Sequence, residues 1–98
     1  MSKHIQLPPI EPFSDDLLDD EKALAVKVLE EAAETFGAWQ EDKGEHAVLY
    51  ECMDVIQELV NFASSVTGLM PDDVSRLLAD SYGAVHRANE ERGRYAHE

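Results

Sequence analysis

"KVLEEAAETF", Lys27 to Phe36, sets Glu30, Glu31 and Glu34 into an otherwise apolar, alanine-rich run. Its apolar residues recur at three- and four-residue steps, the spacing of one face of a helix. On a wheel of about 100° per residue, Ala25, Leu29, Ala32, Phe36 and Trp39 fall in one line, a packing stripe. Leu24, Val28 and Thr35 widen that stripe on one side. Glu31 lies inside the widened part, between Thr35 and Ala38. Glu34 sits just beyond it, and Glu30 is further round. Acids this close to a packing surface call for a reason.

The pattern repeats downstream, where "YECMDVIQEL" (Tyr50 to Leu59) places Glu51 seventeen residues after Glu34. Leu49, Cys52, Ile56, Leu59 and Ala63, with Val48, Val55 and Val66, make a broad apolar arc. Glu51 borders that arc beside Phe62. Asp54 stands one step outside it, with Glu58 between the two, and Asn61 extends the row. Each helix therefore carries a carboxylate pair, Glu31 with Glu34 and Glu51 with Asp54, at i, i+3 on the rim of its apolar face.

Punctuation places the helices. The first is expected to start at about residue 15 or 21 and to end at about 42, with Ser14 as its cap and Phe13 stapled onto Leu18. Gly44 makes the turn. The second runs from about 45 to 66 and stops at Gly68, a residue suited to a left-handed cap. Pro71, Asp72 and Asp73 open a third, which continues to about Arg92 before Gly93. No stretch alternates with strand periodicity. The fold class is therefore all-α, an antiparallel helical hairpin plus a third helix. Its wide apolar faces exceed what one chain can bury, which predicts a four-helix-bundle-like core on dimerisation. Residues 1–13, with three of the four prolines, read as an extended arm before a domain at 14–98.

Bulk properties narrow the function. At 98 residues the chain is one domain. Its single Cys52 rules out an internal disulfide framework. There is no apolar run of transmembrane length and no basic-then-apolar N-terminus, so a cytoplasmic protein without a membrane partner is expected. A net charge of −13 argues against a nucleic-acid polymer as partner. All four arginines lie after residue 75, and Arg87, Arg92 and Arg94 cluster within eight positions.

Taken singly, each acidic pair reads as a solvated helix face. Two pairs bordering apolar arcs, on helices joined by a short turn, are a different matter. A hairpin with axes about 8–10 Å apart brings them into one cluster. Carboxylates that close raise one another's pKa unless a cation sits among them. Ligands supplying only oxygen suit Mg²⁺, or Mn²⁺ in its place. No histidine has a glutamate three positions before it, as a carboxylate di-iron site requires. No calcium loop, P-loop, Ser-His-Asp or Cys-His pattern is present.

EEAAE (Glu30 to Glu34), then sixteen residues, then ECMD (Glu51 to Asp54) resembles the signature of the MazG-like all-α nucleoside triphosphate pyrophosphohydrolases, over about residues 20–95. The resemblance implies hydrolysis of a nucleoside triphosphate between the α and β phosphates, releasing pyrophosphate. It implies Mg²⁺ held by Glu31, Glu34, Glu51 and Asp54, and a catalytic role for Glu30 beside Glu31, on a second ion or on the attacking water. The late segment HRANEERGRY is similar to the family's phosphate-contacting stretch, with His86 where a lysine is expected. That similarity implies substrate contacts from Asn89, Arg92, His86 and Arg87, with Tyr82 in the neighbouring row, in a homodimer or homotetramer. Phosphoribosyl-ATP hydrolysis is the alternative within this chemistry. A non-enzymatic acidic interaction protein is the alternative outside it.

Overall fold

The computed structural model describes residues 3–96; residues 1, 2, 97 and 98, and with them His97 and the outer end of the arm, lie outside the described residues. All regular structure among the described residues is helical, with no strand. A short 3₁₀ turn at Asp15–Leu17 precedes three helices, α1 (Glu21–Gln40), α2 (Glu45–Thr67) and α3 (Pro71–Glu91). No helix among the described residues is long and apolar enough to cross a membrane.

Of the two expected starts for α1, the later one is found. Asp20 is the cap, its carboxylate accepting the N–H of Ala23 at 3.0 Å. Ser14 corrects the expectation placed on it. Its hydroxyl donates to Asp16 Oδ1 at 2.7 Å and caps no helix. A single 3₁₀ turn forms there and the chain breaks before Glu21. At the other end Lys43 N–H bonds Ala38 O and Asp42 N–H bonds Trp39 O, both at 3.1 Å. These are the paired bonds of a Schellman motif, with Asp42 in the left-handed region at φ 56°. Gly44 (φ 98°) then leads into α2, and Gly68 (φ 64°) closes it.

α1 packs against α2 across the connection at 41–44. The face it uses differs from the expected line. Leu24, Glu31 and Ala38 are buried and Val28 and Thr35 half-buried, whereas Leu29, Phe36 and Trp39 stay 71, 55 and 66% exposed. The contact face is thus the widened edge of the stripe, with Glu31 at its centre. On α2 the buried residues are Glu58, Asn61 and Ser64, while Leu49, Leu59 and Val66 remain exposed. Within one chain the hairpin therefore closes over a largely polar seam and leaves its main apolar stripe uncovered.

A comb of α2 side chains fixes the segment before α1. Gln57 Nε2 donates to Glu11 O at 2.9 Å, and Phe13 N–H donates to Asn61 Oδ1 at 3.0 Å. Ser65 Oγ donates to Leu18 O at 2.7 Å. Gln57, Asn61 and Ser65 are spaced i, i+4, i+8 and so share one face. Phe13 is thereby tied through its backbone. The chain divides into two compact units, one ending at Gly68 and the other beginning at Leu69 with α3 and its tail.

Candidate functional site

Glu31 comes from the middle of α1, and Glu51 and Asp54 from adjacent turns of α2. The hairpin brings a carboxylate oxygen of each within 4.8 Å of the other two. Glu31 is only 7% exposed, and Glu51 and Asp54 are half-buried. One oxygen of Glu31 and one of Glu51, Oε2 in both, are buried without a hydrogen-bond partner. A carboxylate oxygen taken out of water with nothing to pair with carries a large penalty. Lys27 stands beside the cluster. Its ammonium lies 3.2 Å from Glu31 Oε1 and 3.8 Å from Glu30 Oε2. The same carboxylates hold the Lys27 pKa above its usual value, chiefly through its hydrogen bond and ion pair with Glu31.

Glu34 lies on the solvent side of this triad. Its pKa is raised, first by a hydrogen bond with the Glu31 carboxyl, then by Glu31's charge, by partial loss of water and by Glu51, with Lys27 opposing. Acids crowded together with little positive charge beside them make ionisation of each costlier. Orphaned buried oxygens on an all-oxygen donor set fit a hard divalent cation. The four expected metal ligands are thus neighbours, three of them as a compact triad with Glu34 at its edge. Glu30 is exposed and faces Lys27, outside the triad.

Beside the triad a slot of about 270 Å³ opens between Glu34 and Glu51. Gly37, Ala38, Ala47, Glu41 and Lys43 line it with them. Small residues there leave room next to the carboxylates. Lys43 is paired with Glu41 at 3.4 Å.

α3 arranges its candidates among themselves. The His86 ring stacks on Tyr95, with centroids 4.5 Å apart and planes 16° apart, and Tyr82 meets it edge-on at 6.0 Å. The charge of Tyr95, a hydrogen bond with it, and burial all push the Tyr82 pKa up. Asn89 Oδ1 accepts from Arg94 Nη1 at 3.4 Å. Arg87 and Arg92 are exposed. Tyr82, His86 and Asn89 do form the expected row. Tyr95, which completes the stack, was not singled out from sequence; its only signal is the glycine two positions earlier, Gly93 at φ 68°, where the chain turns back.

Lys27 was missed too, although its position four residues before Glu31 is the ordinary spacing of a helical ion pair. Asn61 was placed from sequence only as an extension of the Glu51–Asp54 row; its full burial, with Nδ2 unpartnered, and the Gln57–Ser65 comb were hidden. Each depends on which turn of α2 meets the segment before α1. Comparison with known proteins finds no family model, curated protein or solved structure that matches this chain. The likeness to MazG-like enzymes thus rests on the two motifs and their spacing.

Proposed function

We propose that this protein is a Mg²⁺-dependent nucleoside triphosphate pyrophosphohydrolase of MazG-like type, cleaving between the α and β phosphates to give the monophosphate and pyrophosphate. One observation carries the reading. Carboxylates from two helices converge, and two of their buried oxygens lack any partner. A surface evolved only to be acidic disperses its charges in water and has no reason to bury them together.

Glu31, Glu51 and Asp54 would hold the ion, with Glu34 completing the set from the solvent side. When bound, Mg²⁺ neutralises phosphate charge and helps align water with the departing group. Glu30, exposed at the edge of the cluster, would accept a hydrogen bond from the attacking water or help hold a second ion. Asn89, Arg92, Arg87, His86 and Tyr82 are proposed as substrate contacts on the sequence resemblance alone. The uncovered stripe of Leu29, Phe36 and Trp39 supports a second copy as its cover, giving a homodimer with a four-helix core.

The test is pyrophosphate release from a panel of canonical and modified nucleoside triphosphates, with phosphoribosyl-ATP included, in Mg²⁺ and in EDTA. Release that needs the metal and disappears in Asp54→Asn is expected. No release from any substrate by the folded protein would overturn the reading.

A further inference from the structure

A triphosphate brought to a cluster of acids on a chain of net charge −13 needs cations beyond a single divalent ion. The late arginine-rich segment was the expected source; there the His86 ring stacks on Tyr95 and Asn89 is engaged by Arg94, while Arg87 and Arg92 stay exposed. The hairpin carries a source of its own. Two of the chain's four lysines, Lys22 and Lys27, lie on α1. They line one concavity of about 420 Å³ together with Asp20, Ala23, Val26 and Glu30. Asp20 is spent as the helix cap on Ala23 N–H. The positive end of the α1 dipole, with its first-turn N–H groups, lies at the same rim.

This concavity begins where the carboxylate cluster ends. Lys27 already touches Glu31 and Glu30, at 3.2 and 3.8 Å. Lys22 lies five residues earlier, roughly 7.5 Å along the helix axis. Five residues also turn the helix by about 140°, so the two side chains share only the concavity that both line, where each ammonium can act as a point charge on phosphate oxygens.

We propose that Lys22 and Lys27 form a phosphate subsite for the diphosphate end of the nucleotide, on the α1 side of the cation centre. The inference rests on the pyrophosphohydrolase reading above. Within it, Glu31 would share its charge between a bound divalent ion and Lys27. The Lys27 ammonium is then able to turn toward phosphate while staying within reach of the cluster. Lys22 closes the far end. Cations gathered at one rim of an acidic molecule also direct an anionic ligand to that rim.

The experiment is a calorimetric titration of the full chain with inorganic pyrophosphate in Mg²⁺, paired with a Mn²⁺ titration of the same proteins. Saturable pyrophosphate binding is expected, weakened about tenfold in Lys27→Met, the loss of one charge-assisted contact, and by at least as much in Lys22→Glu, which also adds a repelling charge. Arg76→Glu makes the same charge change as Lys22→Glu at an α3 residue paired with Asp73, and it should bind as wild type does. Mn²⁺ binding should be retained in Lys22→Glu, which touches no carboxylate of the cluster. Pyrophosphate affinity unchanged in Lys22→Glu, or weakened equally in Arg76→Glu, would overturn the subsite. So would a wild type that takes up Mn²⁺ but no pyrophosphate, with the cation centre left standing. A wild type that binds neither would overturn both.

Discussion

Glu31 is the residue on which the site turns, because it is buried, charged and only half satisfied. Its neighbour Glu34 reports on the crowding. The Glu34 carboxyl is raised from its ordinary value of 4.5, chiefly by the hydrogen bond with Glu31 and then by Glu31's charge. An acid whose folded pKa is raised stabilises the fold when protonated. That contribution is full below the ordinary value and is lost as pH rises through the raised one. In EDTA, Glu34→Gln should therefore be more stable than wild type at neutral pH, and the gap should close as pH falls toward 4.5. Urea unfolding across that range checks the sign, and a gap that widens on acidification would contradict it. Asn61 is the other residue under load, fully buried and accepting from Phe13 N–H and Gln57 Nε2. Asn61→Ala should cost about 1–3 kcal/mol and expose the chain before residue 18 to proteolysis. Glu31 was legible in the sequence, since a wheel suffices to place it beside an apolar face. The burial of Asn61 was not, because it depends on a partner 48 residues away in the chain, Phe13.

At the scale of elements, the turns that glycine or proline dictates were readable. Gly44, Gly68, Pro71 and Gly93 mark conformations that local sterics alone decide. The start of α1 was harder, because Ser14 and Asp20 both offer a cap and only packing chooses between them. Asp20→Ala should lower stability by about 1 kcal/mol, whereas Ser14→Ala should stay within about 0.5 kcal/mol. Equal losses in thermal or urea unfolding would move the helix start back to residue 14. The contact face of α1 was misread for a related reason. Two adjacent stripes run along the helix, and periodicity does not say which meets α2. The structure gives α2 the narrower stripe of Leu24, Glu31 and Ala38, where small and polar groups let the helices approach. The bulkier Leu29, Phe36 and Trp39 are left outside.

At the scale of the molecule, that uncovered stripe is the reason to expect a second copy. Light scattering should give twice the chain's mass, and Trp39→Glu should return it to one. A wild type that stays monomeric at high concentration would remove the four-helix core from the proposal. All-helical class and helix number could be read from one chain because they are properties of one chain. Assembly could not, since it depends on surfaces that a single sequence shows only as apolar. The central claim, that acids of the α1–α2 hairpin form a divalent-cation centre, is tested most directly by titrating Mn²⁺ and following the free ion by electron paramagnetic resonance. Saturable uptake is expected in wild type and in Glu30→Gln, and it should be lost in Glu31→Gln and Asp54→Asn with helicity intact. The same weak, unsaturated uptake in all four proteins would contradict the claim and leave these carboxylates as no more than an acidic surface.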